Sequence, residues 1–119
     1  MTTSNKMKFM ALYLIPASIV EDWMKTDLEK RKADTGKLEA EVKKWTADHA
    51  KMIISTEAGG KTKRVTSGKT SDVKNDIMAY TIIEAESHEA AAKAFADHPH
   101  LQIPQSTIEV MEVSSMGAM

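Results

Sequence analysis

The chain has 119 residues, a formal net charge of −1 at pH 7 and no cysteine. That length suits one domain with one modest core. The near-zero charge lacks the basic surplus that nucleic-acid binding needs, and without cysteine there are no disulfides, thiolate metal sites or cysteine nucleophiles. The apolar run from Met7 to Pro16 is too short to span a membrane and has no cleavage pattern behind it. The expectation is therefore a cytoplasmic protein with neither a membrane nor a nucleic acid as partner.

Residues 1–6 and 115–119 read as mobile termini. Lys8 to Ile15 reads as a strand stopped by Pro16, where a ladder donor is lost. Phe9, Ala11, Tyr13 and Ile15 alternate with Met10, Leu12 and Leu14, so this strand is apolar on both faces and both must be covered. Ser18 is placed to cap a helix from Ile19 to about Lys30. A second helical pattern runs from Lys37 to Thr56, with Leu38, Val42, Trp45, Met52 and Ile53 at helical spacing. Gly36 lies between the two patterns, and the spacing allows either one kinked helix or two. Gly59-Gly60 closes the second pattern.

Lys61 to Ser67 is a polar strand suited to a sheet edge, and Gly68 to Asp76 reads as loop. Ile77 to Glu86 is the clearest strand. Ser87 then caps an Ala-rich helix from His88 to about Asp97, ended by Pro99. Ser106 to Val113 is the last strand.

The order β, α, β, β, α, β predicts an α+β fold, a ferredoxin-like sandwich with helices on one face of an antiparallel sheet. The other face would then expose a contiguous apolar patch, which predicts association. Two such sheets packed face to face would form a homodimeric α+β barrel.

The C-terminal third carries a resemblance. The run Ala79-Tyr-Thr-Ile-Ile-Glu-Ala-Glu-Ser, the Ala-rich helix, His98-Pro-His-Leu and Thr107-Ile-Glu-Val together resemble the YCII-related family of the dimeric α+β barrel superfamily. The resemblance implies the dimeric barrel fold. The Lys/Glu-rich stretch from Glu21 to Thr56 departs from the family pattern. So does Thr70-Ser-Asp-Val-Lys-Asn-Asp, which stands where relatives carry Asp-Gly-Pro. A His-Asp pair suggested for some relatives has its one counterpart in Asp48-His49, whose adjacent helix positions point apart.

Candidate chemistry centres on a few residues, each with a plain structural alternative. His49 lies within the helical stripe, either as an acid, base or ligand facing a pocket or as a core histidine bonded to a carbonyl. His98 and His100 flank Pro99. As a metal pair they would need a third ligand, with Glu84 or Glu109 the candidates, and no metal site is expected from so few donors. Alternatively they end a helix, with the positive form of His98 favoured beside its C-terminus. Glu84 and Glu109 either project to the barrel side as proton acceptors or simply reach water. Tyr13, Tyr80 and Trp45 are candidate ligand contacts or ordinary core aromatics. Gly59-Gly60-Lys61-Thr62 follows a helix rather than a strand, which excludes a phosphate loop.

These readings converge on a homodimer that holds a small, partly apolar molecule in a cleft, with no cofactor expected. Cofactor-free proton transfer or lyase chemistry would use His49, His98 or His100 together with Glu84 or Glu109. The alternatives are a non-catalytic structural or ligand-binding dimer and a barrel monooxygenase or haem-handling protein with His98 as axial ligand.

Overall fold

In the computed structural model, residues 6–114 are described, so the termini expected to be mobile lie outside this range apart from Lys6. The core is a four-stranded antiparallel sheet in the order β2-β5-β1-β6: β1 is Met7–Leu14, β2 Ile53–Ala58, β5 Ile77–Ala85 and β6 Thr107–Val113. A separate two-stranded ribbon, β3 (Thr62–Thr66) and β4 (Lys69–Val73), interrupts the path from β2 to β5. The helices are α1 (Ala17–Met24), α2 (Leu28–Asp48) and α3 (His88–Ala94). Among the described residues no helix is long and apolar enough to cross a membrane.

The alternation read in the first strand decides which side of the sheet is covered. Phe9, Ala11, Tyr13 and Ile15 are buried, and across the ladder Phe9 meets Ile83 and Ala11 meets Thr81. Phe9, Ile83 and Thr81 are the largest fully buried side chains. The helices complete this layer with Trp45 from α2, Ala91 from α3 and Phe95 just beyond it. Burying these aromatic and aliphatic groups contributes about 1.5–3 kcal/mol each. Among the described residues the opposite face has no covering element, and Met10, Leu12 and Leu14 are only half-buried there.

Five features differ from the sequence reading. First, Gly36 does not divide the helical region into two, because α2 runs through it. The break lies at Lys25 to Asp27, where Asp27 accepts the Lys30 N–H at 2.7 Å and caps α2. The side chain of Ser18 caps nothing, since α1 begins at Ala17 behind Pro16. Second, α2 stops at Asp48 and not at Thr56: Ile53 to Ala58 is strand β2 at the sheet edge. The β-branched residues Ile53, Ile54 and Thr56 prefer the pleated surface.

Third, the polar segment after Gly59-Gly60 is not the edge of the main sheet. Fourth, Lys69 to Val73 is a strand and not a loop, paired with β3 across a tight turn in which Gly68 takes φ 73°. Finally, α3 ends at Ala94, a turn earlier than expected.

Candidate functional site

The His98-Pro-His loop sits at the end of β1 and is fixed by its own side chains. Pro99 opens a 3-10 turn, Pro99–Gln102, and the His98 ring accepts the His100 N–H through Nδ1 at 3.0 Å. His100 Nε2 donates to the Leu14 carbonyl at 2.9 Å, which pins the loop to the end of β1. Both rings are buried, at 5% and 6% exposure. A carbonyl only accepts, so His100 carries its proton on Nε2 and presents Nδ1 as an acceptor. His98 has its Nδ1 lone pair occupied, so its proton is on Nε2, which has no partner among the described residues.

An aromatic cluster surrounds the loop. The Tyr13 ring lies 4.8 Å from His98 and 5.5 Å from His100, while Trp45 lies 4.5 Å from His98 and 5.0 Å from Phe95. Burial in this cluster lowers the pKa of His98 from 6.5 to about 4, with the charges of His100 and His49 adding to the effect and Asp97 opposing it. The expectation of a positively charged His98 at the helix C-terminus is therefore corrected, because desolvation outweighs the helix dipole. Trp45 Nε1 is buried without an acceptor among the described residues.

His49 forms the C-terminal cap of α2. Its Nδ1 donates to the Trp45 carbonyl at 2.7 Å and its ring stacks on Trp45 at 4.1 Å. This is the carbonyl-bonded alternative read from the sequence.

Beside the loop, a cleft of about 480 Å³ opens between α2 and the covered face of the sheet. Its floor is Tyr13, Thr56, Ala58 and Ala79, its wall is Leu38, Val42 and Thr46 of α2, and its end is His98, His100 and Ile103. Three hydroxyls run in series at the floor: Tyr13 OH to Thr81 Oγ1 at 2.7 Å, and Thr81 Oγ1 to Thr56 Oγ1 at 3.1 Å. Burial raises the pKa of Tyr13 despite the opposing bond to Thr81, so the phenol stays protonated near neutral pH. Three hydroxyl protons and two internal bonds leave one proton free, at either end of the chain or on Thr81 in its middle. A larger open hollow of about 1170 Å³ at the base of the ribbon carries none of the candidate residues.

The structure thus gathers Tyr13, Trp45, His49, His98 and His100 on one side of the sheet. Glu84, Glu109 and Tyr80 lie on the other. Glu84 pairs in register with Lys8, and Tyr80 and Glu109 flank Leu12, all on the uncovered face. The expected cooperation of a histidine with Glu84 or Glu109 therefore does not occur within one chain, because the sheet separates them. Among the described residues no group of three or more His, Asp or Glu side chains comes within metal-binding reach of one another.

Sequence reasoning missed Thr56 and Thr81, since threonine in a strand is ordinary β-former chemistry. It also passed over His88, whose Nε2 donates to the Val110 carbonyl at 2.7 Å and ties α3 to β6. Comparison with known protein families and with curated proteins found no match for this chain.

Proposed function

We propose that this chain is a ferredoxin-like α+β protein of the YCII-related type, forming a homodimer through its uncovered sheet face and binding a small, partly apolar molecule in the cleft beside His98 and His100. The strand order β2-β5-β1-β6, with the ribbon taken as an insertion, supports the ferredoxin-like reading. The dimer reading draws on the shape. A radius of gyration of 16.7 Å exceeds the roughly 13.5 Å expected of a compact chain of this size. The shortest dimension, 19 Å, is one helix layer on one sheet layer, with an apolar sheet face left in water.

The observation that carries the binding reading is the pair of histidines at the end of a mostly apolar cleft, with Glu39 and Lys43 of α2 also in its lining. His98 offers its Nε2–H as a donor, and His100, whose Nε2–H is taken by the Leu14 carbonyl, offers Nδ1 as an acceptor. Their complement is a group that both accepts and donates, such as a carboxamide, attached to an apolar body that rests on Leu38, Val42 and Ile103. Buried polar groups of this kind discriminate strongly, because a ligand lacking the matching group leaves them unpaired. A His98 that binds protons only near pH 4 holds and polarises a carbonyl and does not act as a base near neutrality. A base role in any proton transfer falls to His100.

The test is a nitrogen-15 NMR titration with benzamide, benzoate and toluene as probes. Benzamide is expected to shift the signals of Thr56, His98 and His100 at lower concentration than the other two. The Val42→Trp variant, which fills the cleft, is expected to abolish the response. Equal responses to all three probes, or responses only outside the cleft, would overturn the reading.

A further inference from the structure

We infer that the β3–β4 ribbon is a cationic arm that reaches the carboxylates at the rim of the sheet face of a second copy of this chain, beside the face-to-face contact. This rests on the dimer reading above and names the contact that makes such a dimer electrostatically tolerable.

The ribbon has no packing of its own. Every residue from Thr62 to Val73 except those two is exposed, including Val65 at 74% exposure, and neither strand packs extensively on another element. An isolated two-stranded hairpin is at best marginally stable in water, so this one needs a surface to rest on. Its composition names the kind of surface. On the ribbon itself Lys63, Arg64 and Lys69 are opposed by one carboxylate, Asp72, which Lys63 contacts at 2.7 Å, and of the flanking lysines Lys61 and Lys74 the second lies 3.9 Å from Glu21. Arg64 and Lys69 form no ion pair among the described residues.

The uncovered sheet face has the complementary defect. One row across all four strands reads Glu57, Tyr80, Leu12, Glu109, and the neighbouring rows add Ile82, Met10 and Met111, then Glu84 and Lys8. The apolar centre favours burial against another copy. Yet a two-fold contact places this face on itself, bringing Glu57, Glu84 and Glu109 of both copies together, while Lys8 is the one cation in these rows among the described residues. Carboxylates desolvated without partners oppose association strongly. Cations must therefore arrive from outside the face, and the ribbon is the cationic element that projects from the sheet.

The dimensions agree. Five residues per strand extend about 17 Å, and four strands about 4.8 Å apart place the outer ones roughly 14 Å apart, so the ribbon is long enough to follow the rim of the partner's sheet from one outer strand to the other. It leaves the sheet at Gly59-Gly60. There a Cβ on Gly59 would lie 3.2 Å from the carbonyl oxygens of Ile77 and Met78, so a larger residue would make β5 give by a few tenths of an ångström where the chain exits close against it.

The experiment is sedimentation equilibrium of the full chain at low and high salt, with circular dichroism to verify folding. The triple variant Lys63→Glu, Arg64→Glu, Lys69→Glu is expected to weaken self-association about tenfold or more at low salt and to leave the thermal transition of the monomer intact. The paired variant Glu57→Lys, Glu109→Lys is expected to restore affinity when mixed with the triple variant. A wild-type dimer that neither the triple variant nor added salt weakens would overturn this inference while leaving the dimer standing. A wild-type chain that stays monomeric would overturn both.

Discussion

His98 shows how a single side chain can be fixed chemically by its surroundings. Its backbone begins the 3-10 turn, its Nδ1 accepts the His100 N–H, and its ring is enclosed by Tyr13, Trp45 and Phe95. The depressed pKa gives a signed consequence for stability. Between pH 6.5 and about 4 the unfolded chain takes up a proton that the folded chain refuses. The contribution of the neutral ring is therefore complete above pH 6.5 and is lost as the pH falls toward 4, amounting to at most about 3 kcal/mol. Urea unfolding at pH 7.5 and pH 4.5 measures this difference. In His98→Asn the amide oxygen can still accept the turn N–H, and the difference is expected to shrink by most of that amount. An unchanged difference would show that the acid sensitivity resides elsewhere.

The same residue marks how far the sequence could be read. The His-Pro-His spacing identified a turn with two ring nitrogens near a helix end. It did not reveal that the aromatic residues enclosing the turn come from Tyr13 and Trp45, distant in sequence, and that their enclosure reverses the charge preference of a helix terminus. Thr81 escaped notice for a related reason. Its hydroxyl matters only because Tyr13 and Thr56 lie on neighbouring strands at matching register, and single-chain spacing does not encode pairing partners.

At the scale of elements, α2 carries two lessons. The apolar spacing Leu38, Val42, Trp45, Met52, Ile53 continues at helical period past the end of the helix, because the last turn of α2 and the first residues of β2 meet the same core. Periodicity therefore persisted where the backbone had already turned, and β-branching was the better guide to the strand. Gly36 is the converse case: a breaker by composition, it is exposed in mid-helix and a Cβ there would meet nothing within 4 Å. Gly36→Ala is accordingly expected to stabilise the chain by about 0.5–1 kcal/mol, since alanine loses less backbone freedom on folding and clashes with nothing. Asp27→Ala removes the bond to the Lys30 N–H and is expected to cost about 1 kcal/mol. Both are read as shifts of the urea midpoint at constant slope. A destabilising Gly36→Ala would mean that α2 bends at that position in solution.

At the scale of the whole molecule, both faces of β1 were legible as apolar from residues 8 to 15, and this alternation set the architecture. Phe9, Ala11 and Tyr13 took the helices, and Met10, Leu12 and Leu14 were left over. Leu12 stands at the centre of that remainder, on an inner strand with Tyr80 opposite on one side and Glu109 on the other. In an isolated chain an aspartate there would reach water, and its effect on folding would be modest. In the proposed dimer it would be buried against apolar side chains beside existing carboxylates, where a desolvated charge costs several kcal/mol. Leu12→Asp is therefore expected to give a folded monomer at concentrations where the wild type is dimeric. Its melting temperature should lose the concentration dependence that a dimer imposes by mass action. A variant that remains dimeric with an unchanged dissociation constant would place the interface elsewhere on the molecule. A variant that unfolds outright, while the more conservative Leu12→Ala is a stable monomer, would show that the chain folds without its partner and that the aspartate acts on the sheet itself.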